Sequence, residues 1–378
     1  YYNFGPVDFE ELDDYAEGMM CENPEINKFI RENDGLKWIP YEQLSNIEYL
    51  AHGGFGVVSK ARWNFLDVAL KCLNNSKNLT ADVLQEITNY RLFDHSTNII
   101  YVSQCYGLSQ DPTTGNYLMV MHYFEGGNLR QYLDNNHNQL FFEDKLGLLY
   151  TMANGLYHIH SQGLIHRDFH PGNILNRFSS TLYFKSLEYN KTMQNIGCYI
   201  TDLGLCKPID EANDDKTIYG VLPYVAPEIL RGKQYTQASD IYSFGIVAYE
   251  LFSGLPPYYN VPHNTSLTIN ICNGLRPNSD IINVPQLLKK LIIKCWDDNP
   301  LVRPTASELF DLFGKWYCGQ DEEFCRQYRQ IDDAEKLMPL ETYKIHPQAI
   351  YTSRLLNLNL KENDYVSNKL NELHIEDN

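Results

Sequence analysis

The sequence lacks any unbroken apolar run of the length, about 20 residues, that a membrane-spanning helix needs, so we expect no membrane span. Its nine cysteines include no C-x-x-C pair, which argues against a disulfide framework or a zinc site and indicates free thiols in a reducing cytoplasm. Basic residues are also scarce: 31 Lys and Arg stand against 48 Asp and Glu, for a net charge of -17. Because phosphate contacts need clustered Lys and Arg, this balance argues against a general affinity for nucleic acid.

The chain starts at Tyr1 rather than at a methionine and continues with an acidic stretch, so we expect neither an obvious signal peptide nor an intact natural start. An excerpt of a longer chain would explain such a start. Residues 1–36 contain ten acidic and two basic residues, a net charge of -8. For this acidic N-terminal leader, residues 1–43, two interpretations stay open: a solvated tail, which the composition favours, and an acidic docking arm.

What the sequence does contain is a globular composition, with 43% hydrophobic and 21% charged residues in 378. That length allows two lobes with a cleft between them. Apolar and β-branched runs at 47–51, 57–63 and 68–73 alternate with turn residues and predict antiparallel strands. Residues 81–93 have helical spacing, and 117–123 predict a further strand. The remaining pattern is mainly helical, with helices expected at 146–162, 239–253, 284–296 and 305–316.

Three short motifs occur in a fixed order: HRDFHPGN at 166–173, DLG at 202–204 and APE at 226–228. A lone Asp in a turn is most often a cap or turn former, but three such motifs in series indicate phosphoryl transfer. From about Leu44 to Tyr317 the chain resembles the eukaryotic protein kinase superfamily, in particular its tyrosine-kinase-like group and an expanded fungal kind within it.

This resemblance implies an α+β, two-lobed protein kinase fold over residues 44–317. A small antiparallel β lobe with one helix would reach about residue 124, and a larger, mainly helical lobe would start at about 125. Residues 318–378 form a C-terminal tail that either caps the large lobe or leads to further modules.

A nucleotide site is implied in the small lobe. Lys71 follows the strand residues Val68 to Leu70, where the family lysine reaches the α and β phosphates of ATP. An isolated strand lysine would be solvated, but Glu86 lies fifteen positions on, where a helix presents a carboxylate to it. In the glycine cluster at 51–58, Ala51 replaces the first glycine of the family. The resemblance assigns ATP contacts to Leu50, Gly53, Gly56, Val58, Ala69, Lys71, Met121, His122, Phe124 and Leu175.

Catalysis and metal binding are implied for three residues. Asp168 would accept or orient the proton of the substrate hydroxyl. Asn173 and Asp202 would bind Mg²⁺ through amide and carboxylate oxygens, which this cation prefers. Two structural roles are also implied: Glu228 pairs with Arg303, and Asp240 anchors the backbone of the catalytic loop.

Three departures from the family bear on activity. His170 stands where Ser/Thr kinases have a lysine, and Val221 where they have a threonine. Asn173 and Asp202 are 29 positions apart, which predicts an inserted loop at about 177–194. An exposed excursion or a mispredicted exon boundary explains the insert more simply than a regulatory element does.

Two functions stay open from the sequence. The first is a protein kinase of cytoplasmic signalling. It would phosphorylate Ser or Thr in protein substrates, with Tyr left open. An upstream kinase would phosphorylate Thr217 or Tyr219, and the new phosphate would pair with Arg167 beside Asp168. The second is a pseudokinase or scaffold, favoured by the three departures. Pseudokinases usually lose at least one of the residues Lys71, Glu86, Asp168, Asn173 and Asp202, and this chain has all of them.

Overall fold

The chain forms two compact units, residues 1–126 with 176–206 and residues 127–175 with 207–378. A computed structural model describes residues 20–33, 35–53, 56–73, 76, 81–93, 100–137, 140–177, 197–208, 217–331 and 343–356. The first unit holds a large sheet and the second most of the helices, which confirms the predicted α+β fold class. Within the described residues, none of the helices combines the length and apolar character that crossing a membrane requires.

The first unit contains a six-stranded sheet of β1 (Lys37–Trp38), β2 (Leu44–Gly53), β3 (Gly56–Trp63), β4 (Leu66–Cys72), β5 (Cys105–Gln110) and β6 (Tyr117–His122). The strand order is β1-β5-β6-β4-β3-β2, antiparallel except for the parallel pair β1 and β5. The four strands predicted in this region are present as β2, β3, β4 and β6. Strand β5 escaped prediction because Gly107, Ser109 and Gln110 interrupt its apolar residues, whereas β6 is an almost continuous apolar run.

The two faces of the sheet have different roles. Val68 and Leu70 of β4 are buried in a hydrophobic core with Trp63 and Val120. Because successive strand residues point to opposite faces, Ala69 and Lys71 lie on the other face. Alternate residues of β4 therefore face the hydrophobic core and the opposite surface, which carries the Lys71 ammonium group.

Part of the acidic leader is folded. Helix α1 (Pro24–Glu32) starts at Asn23, whose side chain caps the first turn, and it buries Ile26 completely. Leu36 and Ile39 are also buried, and β1 follows. The expectation of a solvated tail is therefore wrong for this part, since apolar residues between the acidic ones pack against the unit. Residues 1–19 lie outside the described residues.

Helix α2 (Ala81–Arg91) and strand β9 (Cys198–Ile200) complete the first unit. Ile200 lies beside the segment before β5: its N–H donates to Tyr101 O at 2.9 Å, and its carbonyl accepts from Ser103 N at 2.8 Å. This fixes the start of the segment that carries Asp202. Beyond Arg177, the predicted inserted loop lies outside the described residues.

The second unit is mainly helical. Its helices are α3 (Leu129–Asn136), α4 (Phe142–Ser161), α5 (Pro227–Leu230), α6 (Gln237–Ser253), α7 (Thr265–Cys272), α8 (Gln286–Cys295), α9 (Ala306–Tyr317) and α10 (Glu322–Arg329). Its short strands are β7 (Leu164–Ile165), β10 (Lys207–Pro208), β11 (Tyr219–Gly220) and β12 (Arg354–Leu355), and β8 (Ile174–Asn176) lies at the unit boundary. The four predicted helices are confirmed as α4, α6, α8 and α9.

Helix α4 packs closely against α9. The ring of Tyr150 stacks on Phe310 and Tyr317, with centroids 5.3 and 6.0 Å apart. A Cβ on Gly147 would lie 3.1 Å from the Tyr317 ring, so glycine permits this approach. This packing places the loop that follows α4 on a rigid support.

The described part of the C-terminal tail packs on the second unit. Phe324 of α10 stacks on Trp316 at 4.3 Å, and Tyr328 stacks on Phe142 at 4.7 Å. Residues 343–356 return to the same unit and end in β12, which pairs with β11. The residues after 356 lie outside the described part of the chain.

Candidate active site

Lys71 is the centre of a buried charge cluster in the first unit. Its Nζ lies 2.6 Å from Glu86 Oε1 and 2.7 Å from Asp202 Oδ1. Lys71 and Glu86 are each 8% exposed. The structure thus brings together three of the predicted site residues, from β4, α2 and the DLG motif.

The charge of Lys71 is stabilised where it lies. Burial by itself lowers the pKa of a lysine, but the carboxylates of Asp202 and Glu86 outweigh it and hold the pKa of Lys71 well above its ordinary value. Lys71 is therefore a permanent cation at neutral pH, as an electrostatic partner for phosphate oxygens must be.

Helix α2 holds the DLG segment through two residues that the sequence analysis missed. Tyr90 Oη accepts hydrogen bonds from Asp202 N at 2.8 Å and Leu203 N at 3.3 Å. Asn89 Nδ2 donates to the carbonyls of Leu203 and Cys206, both at 3.2 Å. Asp202 has a φ of 63°, in the left-handed region, and these hydrogen bonds hold its backbone in that conformation.

Gly204 of the DLG motif leaves room for Glu86. A Cβ at this position would lie 3.0 Å from Glu86 Oε2 and 3.4 Å from Asp202 Oδ1. A larger residue would therefore displace one of the carboxylates that contact Lys71.

The residues predicted to contact ATP in the sheet lie close together. Val58 pairs with Lys71 across β3 and β4, and Ala69 pairs with Met121 across β4 and β6. Directly paired residues share a face, so these four side chains lie on the face opposite the core.

The glycine cluster forms the end of the β2–β3 hairpin. Gly53 pairs with Gly56, whose φ of 145° few other residues adopt. Leu50 precedes them on β2 and is 44% exposed. The hairpin tip, Gly54 and Phe55, lies outside the described residues.

His122 and Phe124 belong to an aromatic cluster. His122 Nδ1 lies 2.7 Å from Tyr106 Oη, and the rings of His122 and Phe124 meet edge to face at 4.6 Å. Phe124 also contacts the Tyr199 ring at 4.8 Å. These contacts pack His122 against its neighbours, and its contact with ATP stays a prediction.

In the second unit, Asp168 lies on a loop that Asp240 anchors. The Asp240 carboxylate accepts hydrogen bonds from His166 N at 2.8 Å, Arg167 N at 3.0 Å and His160 Nε2 at 2.9 Å. The predicted anchoring role of Asp240 is confirmed. Asp240 thereby holds a strained turn, in which Arg167 has a φ of 70°, in the left-handed region.

Asn173 folds back onto Asp168. Its Nδ2 donates to the Asp168 carbonyl at 3.0 Å and to Asp168 Oδ2 at 3.2 Å. This orientation directs the amide nitrogen to Asp168 and leaves the amide oxygen as the atom able to bind a cation.

His170 faces the same carboxylate. Its Nδ1 accepts from Gly172 N at 3.1 Å, so a neutral ring carries its proton on Nε2. That nitrogen lies 3.6 Å from Asp168 Oδ2. His170 thus serves as a neighbour of Asp168 in the site.

Asp168 is ionised at neutral pH. Burial raises the pKa of this carboxyl. His170 lowers it through charge and hydrogen bonding, the Ser353 hydroxyl and His166 lower it further, and together these groups outweigh burial. The net effect is a pKa below the ordinary value of 3.8. The group can therefore accept or orient a proton.

Three further residues singled out by the sequence lie in or next to the second unit's motifs. Glu228 and Arg303 form a buried bidentate pair, with nitrogen to oxygen distances of 2.7 and 2.8 Å, which confirms the predicted pairing. Leu175 lies in β8 and forms a backbone bridge with Asn128. Leu175 is thus in the second unit, and the other predicted ATP contacts are in the first.

Comparison with known proteins agrees with these motifs. The family model of protein tyrosine and serine/threonine kinases matches residues 44–313. Dual specificity protein kinase zakA of Dictyostelium discoideum is 30% identical over 309 residues, 79% of this chain and 38% of that protein. Probable serine/threonine-protein kinase gdt2 of the same organism is 30% identical over 290 residues, 76% of this chain and 16% of that protein. The chain spans less than half the length of these curated relatives.

Proposed function

Because this chain belongs to the protein tyrosine and serine/threonine kinase family, we propose that it transfers the γ-phosphoryl group of ATP to hydroxyl groups of proteins. Protein kinases use ATP with Mg²⁺. The observation that carries the proposal is the contact of Lys71 with both Glu86 and Asp202, in a chain that also has Asp168 and Asn173.

Lys71 provides the fixed positive charge of the nucleotide site. Glu86 and Asp202 keep it protonated and limit its orientation, so it is ready to meet phosphate oxygens without rearrangement. Around it, Val58, Ala69 and Met121 offer an apolar surface for the adenine ring.

Asn173 and Asp202 each have an oxygen atom of the kind that Mg²⁺ prefers, and we propose both as its ligands. A hard divalent cation prefers carboxylate and amide oxygens, and the amide nitrogen of Asn173 is already occupied with Asp168. When bound, the cation would neutralise charge on the phosphate oxygens.

Asp168 acts on the acceptor. Its ionised carboxylate accepts or orients the proton of the attacking hydroxyl, and Asp240 holds the loop backbone that positions it. His170 Nε2–H supports the carboxylate charge but leaves no lysine for the γ-phosphate at this position.

We infer Ser and Thr as acceptors, with Tyr as a further acceptor. The relatives named as serine/threonine or dual specificity kinases support this preference. An upstream kinase acting on Thr217 or Tyr219 is part of the same proposal. We place the reaction in the cytoplasm because all nine cysteines are free thiols.

The test is transfer from γ-labelled ATP with Mg²⁺ to generic Ser/Thr and Tyr protein substrates. Asp168→Asn and Asp202→Asn should each lower the rate by about 10²-fold or more, because each removes a charge that acts on the reacting groups. Asp280→Asn is the matched control, since Asp280 is an exposed carboxylate that pairs with Lys289.

The alternative is a pseudokinase or scaffold, which the contact of His170 with Asp168 favours. Wild-type protein that binds nucleotide but transfers no phosphate, even after phosphorylation by an upstream kinase, would establish the scaffold and reject the kinase.

A further inference from the structure

Residues 343–356, here named the C-terminal strap, run across the second unit towards Asp168. The start of the strap is held by backbone contacts. His346 N donates to Tyr259 O at 2.8 Å, and His263 N donates to Gln348 O at 3.0 Å. Ile350 N donates to His263 Nδ1 at 3.1 Å. These contacts fix the strap in a defined register.

Tyr351 anchors the middle of the strap. Its Oη donates to Pro257 O at 2.9 Å, and its ring lies 4.9 Å from the His263 ring. The Arg130 guanidinium lies over the Tyr351 ring at 4.7 Å and is itself held by Glu250. A large aromatic side chain in such a setting is a typical anchor of a bound peptide.

The end of the strap forms a strand on the segment between the DLG and APE motifs. Strand β12 pairs antiparallel with β11, Arg354 opposite Gly220 and Leu355 opposite Tyr219. Leu356 N donates to Ile218 O at 2.8 Å. Addition of a strand to an exposed edge is a common way to bind an extended peptide.

This pairing places Ser353 beside the catalytic carboxylate. A Cβ on Gly220 would lie 3.4 Å from Asp168 Oδ1, and Ser353 directly precedes Arg354, the strap residue that pairs with Gly220. Ser353 Oγ is buried and has no hydrogen bond of ordinary geometry to the described residues. The Ser353 hydroxyl lies within reach of the Asp168 carboxyl.

We propose that the C-terminal strap occupies the protein-substrate site of this kinase and that Ser353 is phosphorylated by the active site of its own chain. The inference rests on the proposed function and names its first substrate. Thr352, one position earlier, carries a similar hydroxyl but is exposed to solvent, so the structure distinguishes the two.

The chemistry is the proposed transfer with Ser353 as acceptor. Ser353 Oγ forms a bond to the γ-phosphorus of ATP as the bond from that phosphorus to the β–γ bridging oxygen breaks, and ADP leaves. Asp168 takes the hydroxyl proton and later releases it to solvent. Because donor site and acceptor are in one chain, the rate should not depend on protein concentration.

Phosphorylation should release the strap. Phosphoserine carries about -1.5 to -2 charges, which would be repelled by the buried carboxylate of Asp168. Before release the strap competes with external substrates as a tethered ligand, at an effective concentration near millimolar. Transfer to added protein should therefore accelerate as Ser353 becomes phosphorylated.

The experiment follows both reactions in the full chain after dephosphorylation. Wild type, Ser353→Ala, Ser353→Glu and Thr352→Ala are incubated with ATP and Mg²⁺ over a tenfold range of protein concentration. Peptide mass spectrometry measures phosphate on Ser353, and transfer to a generic protein substrate is measured in parallel. Asp168→Asn identifies phosphate that comes from a contaminating kinase.

We expect phosphate on Ser353 in wild type and Thr352→Ala, with a first-order rate that is independent of concentration, and none in Asp168→Asn. Ser353→Glu should have a KM for the added substrate about tenfold lower than Ser353→Ala has.

Transfer to the added substrate with Ser353 unmodified in wild type, or with equal KM values in the two Ser353 variants, would overturn this inference and leave the kinase intact. A Ser353 rate proportional to protein concentration would reject the intramolecular step. No transfer to any acceptor in any variant would reject the proposed function and this inference with it.

Discussion

At the scale of single residues, Lys71 differs from its two partners in what its loss would do. Lys71→Met removes the only charge of the cluster that can attract phosphate, so we expect kcat/KM for ATP to fall by about 10²- to 10³-fold. Glu86→Gln leaves Asp202 at 2.7 Å to hold Lys71, so the decrease should be about tenfold. Steady-state kinetics with varied ATP measure both, and equal losses in the two variants would contradict this division of roles.

Tyr90 is a residue whose role only the structure revealed. Tyr90→Phe removes the hydroxyl that accepts from Asp202 N and Leu203 N, while the ring stays in the core. We expect about 1 kcal/mol lower free energy of unfolding and about tenfold lower kcat/KM, because the DLG backbone loses its support.

Tyr49→Phe is the control for this change, since Tyr49 is 65% exposed. Chemical denaturation and transfer assays on the two variants measure both effects. A Tyr90→Phe variant that matches the control in activity would show that Asp202 is held by other contacts.

At the scale of elements, the folded leader is the clearest departure from the sequence-based prediction. Ile26 of α1 is fully buried, so Ile26→Ala should lower the free energy of unfolding by about 2–4 kcal/mol through lost burial and a cavity. Ile47→Ala, at a site 40% exposed in the same unit, should cost much less. Equal, small effects in denaturant titrations would mean that the leader does not stabilise the unit.

The elements that could be predicted share strong local signals. Strands β2, β3 and β4 contain short apolar and β-branched runs between turn residues, α4 and α9 have helical periods, and the motifs of the site are local in the sequence. The leader was misread because its net charge of -8 hides Ile26, Leu36 and Ile39, which are apolar residues too sparse to give a period. The roles of Tyr90 and Ser353 depend on contacts far apart in the chain, and no pattern within a window reports such contacts.

At the scale of the whole molecule, pH should reveal the ionised Asp168. Its pKa in the folded protein lies below 3.8, so ionisation favours the folded state at pH values above the unfolded pKa. That contribution is lost as pH falls through the folded pKa. Asp168→Asn resembles the neutral acid, so the difference in unfolding free energy between wild type and Asp168→Asn should shrink from about pH 7 to about pH 3.5.

Urea titrations at several pH values measure this difference. A difference that grows towards low pH would mean that the pKa of Asp168 is raised in the folded protein. In that case burial would outweigh His170, Ser353 and His166 in setting the pKa of Asp168.

The central claim is that this chain moves a phosphoryl group and that Asp168 acts in the chemical step. The most direct measurement is single-turnover transfer from γ-labelled ATP at saturating nucleotide, with ATP affinity measured on the same wild-type and Asp168→Asn samples. We predict that the affinities agree within about threefold, because Asp168 acts on the acceptor, and that the transfer rate falls by about 10²-fold or more. Equal transfer rates in the two proteins, or no transfer by wild type at saturating ATP, would contradict the account.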